Sequence, residues 1–316
     1  MMSYAFISFF DGNQVKSMIK KLAPQLKNHD EIRSILREKD ITISLDGGQK
    51  VDTLLIYLPI VDGKSDYIQL FEVVKREILY NFAFKCCEIN RKLKSQSPSA
   101  IDELVNKAIR RLSQHTAHGE LGELILFTLL DVYLEAPKIL SKISLKTSRR
   151  MPVYGADAVH AQYYNNEIRL YFGESKLHKN FDGAASDAAK SIKSAKDKYQ
   201  VEFDLIESHL DFPNMDDDIQ EDIMDLIDPF SDKSHSQSIH SPCFIGFTGH
   251  DIIGSSRSED EFLEKYVLLA NTHAHYFFKK IKEQALDHNQ STLMLLPFSD
   301  IDELVKKFID YLGIEK

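Results

Sequence analysis

The sequence predicts an α/β protein, and three features predict it. Two β-rich runs, 41–45 and 51–61, flank an Asp46-Gly47-Gly48 turn and form a hairpin signal. Residues 118–134 form an apolar helix with Leu121, Leu124, Ile125 and Leu129 on one face. Behind it come a short strand, two strands joined at Asn165-Asn166 and an Ala/Lys-rich helix, an α-β-β-β-α order later followed by a strand.

From the N-terminus, 4–10 has strand character and 14–40 helical spacing, ahead of the hairpin. Helical spacing returns over 67–93. The stretch 92–99, KLKSQSPS, is polar and carries a proline, so a boundary belongs there. That divides the chain into an N-terminal α/β elaboration, 1–97, and a main domain, 98–316. In the main domain 101–112 and 118–134 are helices, 143–147 a short strand, and 154–163 and 167–175 the paired strands. The Asn165-Asn166 turn lacks glycine, but asparagine tolerates the left-handed conformation. Residues 181–199 are helical, 203–226 form an acidic helix within an insertion at 202–232, and 231–241 is a Ser/His loop. A strand at 243–248, a helix at 259–285, a strand at 292–296 and a helix at 301–312 complete the chain, with no internal repeats.

Of the 316 residues 43% are hydrophobic and 28% charged, enough to bury a core and too apolar for a disordered chain. No window approaches the ~18 apolar residues of a membrane span, and the start, MMSYAFISFFDG, has no basic region of the signal-peptide kind. Cys86, Cys87 and Cys243 form no CxxC, which fits a reducing cytoplasm and argues against a cysteine-rich zinc module; the first two are expected as small buried hydrophobes. The net charge of −9 would repel nucleic acid if it were uniform, but it is not. Residues 138–200 hold twelve Lys/Arg against six Asp/Glu, whereas 202–232 hold twelve Asp/Glu and no Lys/Arg. The acidic stretch is first of all a solvated helix face. A sharper reading makes it a mimic of DNA charge that covers a basic site or docks a basic partner. No GxxxxGK[ST], GxGxxG, GxSxG or HExxH motif occurs, so the chain has no nucleotide cofactor of its own. His115 with His118, and His273 with His275, are weak zinc signals without cysteines beside them.

The chemistry concentrates in four pieces: HGELGE with Glu120 and Glu123, GADAVH with Asp157, RLYFGESKL with Glu174 and Lys176, and the cations Lys146, Arg149, Arg150 and Lys179. Glu120 and Glu123 share a helix face at i, i+3, though acidic residues also favour a helix start for its dipole alone. Glu174 and Lys176 share a strand face with Leu170 and Phe172. Taken alone this is a strand-end ion pair worth under ~1 kcal/mol. Asp157 changes the reading. It lies as far from the Asn165-Asn166 turn as Glu174 does, so the two carboxylates face each other across the hairpin, about 5 Å apart at Cβ. A one-residue slip would turn Asp157 to the other face. Facing carboxylates repel unless a cation bridges them, and hard cations such as Mg2+ take such ligands. His160, by strand parity, belongs to the opposite face.

In order, the helix glutamate, strand aspartate and ExK resemble the PD-(D/E)XK nuclease superfamily, whose restriction-endonuclease-like core runs αβββαβ. Here no proline precedes Asp157, the pair being Ala156-Asp157. The wider wording, HGELGELILFTLL, KISLKTS, VYGADAVHA and LYFGESKL, resembles HamA, the nuclease subunit of Hachiman-type anti-phage systems; the related Abp-type pair has a similar nuclease. The resemblance implies a cytoplasmic DNA nuclease encoded beside a superfamily-2 helicase. Asp157 and Glu174 would be ligands to Mg2+, or Mn2+ in its place. Lys176 would activate water or stabilise phosphate. Glu123, or else Glu120, would be the helix carboxylate. Lys146, Arg149, Arg150 and Lys179 would contact DNA, and residues 1–97 would dock the partner. The alternative is a non-cutting regulatory or scaffold subunit that controls a helicase, against which the intact Asp157, Glu174 and Lys176 set argues. RNA as substrate is a third reading that no motif favours.

Overall fold

Arg37–Ser44 forms β1 and Lys50–Tyr57 forms β2, antiparallel, with Ile43 opposite Val51 and Arg37 opposite Tyr57. The turn between them holds Gly47 and Gly48 at φ 100° and 80°, which is why two glycines follow Asp46. The computed structural model describes residues 22–145, 156–164, 167–206, 217–228 and 238–315. The strand expected over 4–10, the start of the helix expected from 14, the Asn165-Asn166 turn, and Lys146, Arg149 and Arg150 lie outside those residues. Within them, the helix expected to reach residue 40 is only α1, His29–Ile35. Residues 37–40 pair with β2 instead, ladder hydrogen bonding overriding local helical spacing.

After the short strands β3 (Ile60–Val61) and β4 (Lys64–Ser65), the helix expected over 67–93 is broken. It runs as α2 (Ile68–Val73), a π-helical turn (Val74–Ile78), α3 (Leu79–Ala83) and α4 (Cys86–Leu93). Each interruption has a chemical partner. In the wide turn the buried Glu77 accepts from Lys27 N and Asn28 Nδ2, both at 2.5 Å. At the second break, buried Lys138 donates to the carbonyls of Asn81, Phe82 and Phe84 at 2.5, 3.1 and 2.8 Å, satisfying the helix end.

There follow α5 (Ala100–Ile109), α6 (Ala117–Val132), β5 (Lys138–Ser141) and α7 (Lys142–Leu145). The strand expected over 143–147 thus lies earlier, and Ile143 sits in a helical turn. Lys138 hid the strand, because a buried lysine at its head breaks the apolar pattern. Next come β6 (Ala158–Tyr164), β7 (Glu167–His178), α8 (Phe181–Ile206) and α9 (Asp217–Ile227). The chain closes with β8 (Ile239–Thr248), α10 (His250–Gly254), α11 (Glu259–Glu283), a 3-10 turn at His288–Gln290, β9 (Ser291–Phe298) and α12 (Ile301–Leu312).

One mixed sheet carries seven strands in the order β1-β2-β9-β8-β7-β6-β5. The middle four, β2, β9, β8 and β7, are parallel; β1 at one edge and β6 with β5 at the other are antiparallel. Strands from both sides of residue 97 therefore share one sheet. Phe244, Met294 and Leu296 face a core built with α6 and α12. Cys243, Ile245, Leu293 and Leu295 face α8 and α11. Beyond α8, α9 buries Ile219 and Ile223 against Leu170 and Phe172 while Asp217, Asp218, Glu221, Asp222 and Asp225 stay exposed. The described part of the acidic insertion is thus an amphipathic helix with a solvated face.

Gly246 marks the tightest packing in the central strands. A Cβ there would lie 2.5 Å from Leu177 Cδ1 and 3.1 Å from both Phe244 and Phe298. Gly246→Ala is therefore expected to destabilise the fold by about 1–3 kcal/mol, the usual cost of overpacking, read as a lower urea midpoint. An unchanged midpoint would show that the three side chains can withdraw together.

Candidate active site

The hairpin register runs from Tyr164 opposite Glu167 to Ala158 opposite Gly173. Asp157 N also donates to Gly173 O, at 3.0 Å, so Ala158 and Asp157 both lie against Gly173: the pairing slips by one residue at Asp157 and does not extend to an Asp157–Glu174 pair. The expected register holds from Tyr164–Glu167 to Ala158–Gly173, but the facing Asp157–Glu174 pair it predicts is replaced by this one-residue slip. Both carboxylates are buried, Asp157 8% and Glu174 5% exposed. Asp157 Oδ2 accepts from Ser175 N at 2.8 Å and from Ser175 Oγ at 2.9 Å. Lys176 Nζ is ion-paired with Glu174 Oε1. Burial alone would lower the Lys176 pKa, but Glu174 and then Asp157 outweigh it and hold the ammonium above its ordinary value. Cys243, the Cα partner of Glu174, has a fully buried thiol pushed up by burial and by both carboxylates, and eased down by Lys176.

Alternation places these groups. Gly173, Ser175 and Leu177 face α6, so Glu174 and Lys176 face the α8 side, with Phe172. Gly173 faces Leu126 of α6, where an added Cβ would be 2.9 Å from Cδ2. Gly122 faces Ser175, where it would be 3.3 Å from Oγ. The first turns of α6 thereby press on the residue between Glu174 and Lys176. Glu123, next to Gly122, is half-buried there. Glu120 is tied to the start of its own helix: Oε1 accepts from Thr116 Oγ1 at 2.7 Å and Oε2 from Ser113 N at 3.0 Å. That capping role makes Glu123 the better-placed helix carboxylate.

His160 lies on the α6 side, as parity requires, 5.7 Å from the Phe127 ring. Lys179, past the end of β7, is exposed and ion-paired with Asp302 at the start of α12. His273 stacks on Phe181 at 3.8 Å. Cys86 is half-buried and Cys87 exposed, against the expectation that both are buried, because they open α4 at its outer end. The sequence reading missed Ser175. Its signal was a hydroxyl at the middle of ExK, on a face where neighbouring strand positions pack against a helix.

Among the described residues no three His, Cys, Asp or Glu side chains converge on a metal position. Zinc would want four such donors. Mg2+ keeps several waters and takes one or two carboxylates plus substrate phosphate oxygens. Asp157 and Glu174 therefore fit Mg2+ or Mn2+ and not a structural zinc. Among the described residues no helix is long and apolar enough to cross a membrane. No curated protein matches the chain. The HamA family model matches residues 30–312, from α1 to the end of α12 and across the whole Asp157–Glu174–Lys176 arrangement, so the chain belongs to the HamA family of anti-phage defence proteins.

Proposed function

We propose that this protein is a metal-dependent DNA nuclease of the PD-(D/E)XK kind, the cutting component of a defence pair with a superfamily-2 helicase. One observation carries the reading: Asp157 and Glu174, two buried carboxylates, lie at the same end of the β6–β7 hairpin, and both act to hold the Lys176 ammonium above its ordinary pKa. Burying two like charges side by side is costly, and a binding site for a cation and a phosphate gives that cost a purpose. The order α6-β5-β6-β7-α8-β8 also fits the αβββαβ core, with α7 a single turn and α9 an insertion.

Asp157 and Glu174 would hold Mg2+ or Mn2+. The bound ion would supply Lewis-acid polarisation of the scissile phosphate. Ser175 fixes the Asp157 carboxylate through two hydrogen bonds to one oxygen, leaving the other oxygen's direction set. Lys176, held protonated by its neighbours, supplies positive charge for the phosphate as negative charge builds on it. Glu123 adds a carboxylate from α6. The deciding experiment is degradation of duplex and single-stranded DNA by the purified chain, with Mg2+ or EDTA, alone and with the helicase plus ATP. Metal-dependent cutting supports the reading. No cutting in any combination, with the helicase complex still formed, supports the non-cutting scaffold, which the closed Glu174–Lys176 pair also suits.

A further inference from the structure

A cavity of about 520 Å³ opens between α4, the end of α5 and α7, lined by Lys85, Cys87, Glu88, Arg91, Arg111 and Ser144. Three cations face one carboxylate. Arg111 is fixed in place: Nη1 donates to Ala83 O at 2.5 Å and the guanidinium lies 4.4 Å over the Phe84 ring. Among the described residues only this one of its five N–H donors is so engaged, and a planar fork held by its root suits a phosphate. Arg91 is exposed, with no carboxylate partner among the described residues. The N-terminus of α4, which supplies Lys85, Cys87 and Glu88, has no side-chain cap. Its dipole adds positive potential at the same wall.

The cavity lies at the reactive end of the sheet. Ser144 follows Ser141 by three residues, and Ser141 is the Cα partner of Ala158, which follows Asp157. At 3.8 Å per residue and about 5.5 Å across the pair, Ser144 lies within about 20 Å of Asp157, roughly six base-pair steps of duplex. We propose that this cavity, with Lys85, Arg91 and Arg111, grips the phosphate backbone of the nucleic-acid strand that the Asp157–Glu174 site receives. The inference rests on the nuclease reading for its substrate class. It assigns backbone positioning, not base recognition, to the cavity.

The test is DNA binding by the full chain in EDTA, where no cutting occurs, using a labelled 30-base-pair duplex and its single strand across a salt series. Lys85→Ala with Arg91→Ala is expected to weaken binding about tenfold or more and to lower the log–log salt slope by about two, one for each lost phosphate contact. Arg111 is left intact because it also holds Ala83 and Phe84. Saturating DNA is expected to slow alkylation of the exposed Cys87 thiol, measured by mass spectrometry, in the wild type and not in the double variant. Unchanged affinity and slope, Cys87 alkylation indifferent to DNA, or no DNA binding by the wild type at low salt overturns the proposal. So does unchanged DNA binding with loss of helicase binding, which makes the cavity a protein dock. Cutting is scored separately in Mg2+. A wild type that binds through the cavity yet never cuts sinks the nuclease reading and leaves the cavity assignment. A wild type that cuts while the double variant binds equally well does the reverse.

Discussion

Asp157→Asn is expected to lower Mg2+-dependent DNA cleavage by about 10³-fold or more, since the several kcal/mol that a metal contributes at a phosphate convert at one decade per 1.36 kcal/mol. The substitution is chosen for its geometry. Ser175 N and Oγ both donate to Asp157 Oδ2. An asparagine can still accept both bonds with its amide oxygen. Shape and hydrogen bonding survive, and only the charge is lost. Without metal the fold should be as stable as wild type or somewhat more, because one of two neighbouring buried carboxylates has gone, the usual trade at a reactive site. The companion Lys176→Met should also lose cleavage while retaining Mn2+ binding, since it removes the phosphate's cation and keeps both carboxylates. Cleavage and Mn2+ titration of the three proteins check the pattern. Full cleavage by Asp157→Asn, with an unchanged urea midpoint, would rule this aspartate out as a ligand.

How far the sequence alone reached can be seen strand by strand. The β6–β7 register was legible as far as Ala158 and Gly173 because a hairpin register is set by counting from its turn, and counting needs no tertiary information; the slip that sets Asp157 against Gly173 was not legible. The faces of Glu174, Lys176 and His160 followed from strand alternation for the same reason. Helix α12 was legible to the residue, with an aspartate cap at Asp300 and Gly313 at φ 67° beyond it. What was not legible depended on distant partners. Strand β5 begins with a lysine that only a broken helix end makes sense of, and that helix is more than fifty residues upstream. The helix breaks near Glu77 and Phe84 have no glycine or proline to mark them. They exist because Glu77 must reach Lys27 and Asn28, and because Lys138 takes the carbonyls past Asn81. Ser175 was overlooked because local patterning shows which face a residue takes, not which carboxylate it meets there.

Acidification is expected to unfold the protein through His160, with a slope that one substitution removes. The ring is fully buried between β6 and α6, its Nδ1–H donating to Ala136 O at 2.6 Å and its Nε2 buried without a hydrogen-bond partner among the described residues. Burial, with Lys138 nearby, pushes its pKa down to about 3 despite the Ala136 bond. In the unfolded chain it titrates near 6.5. Between those values the unfolded state binds the extra proton, so stability rises with pH across the window and is lost as pH falls from about 6.5 towards 3. The loss is at most about 1.4 kcal/mol per pH unit, an appreciable part of a typical folding free energy. His240 and His273, both pushed down to about 4 by burial, act in the same direction, more weakly because each is partly exposed. His160→Asn keeps a donor for Ala136 and deletes the titration. At pH 7.5 it should be less stable than wild type, for it leaves a void beside Phe127. As pH falls through 6 to 5 the wild type should lose stability faster, so the gap in urea midpoints should narrow by the His160 share alone. A gap that stays constant over that range would mean that His160 is already charged, or solvated, inside the fold. The packing of β6 against α6, which sets the Asp157 end of the hairpin, would then be looser than the fully buried ring implies.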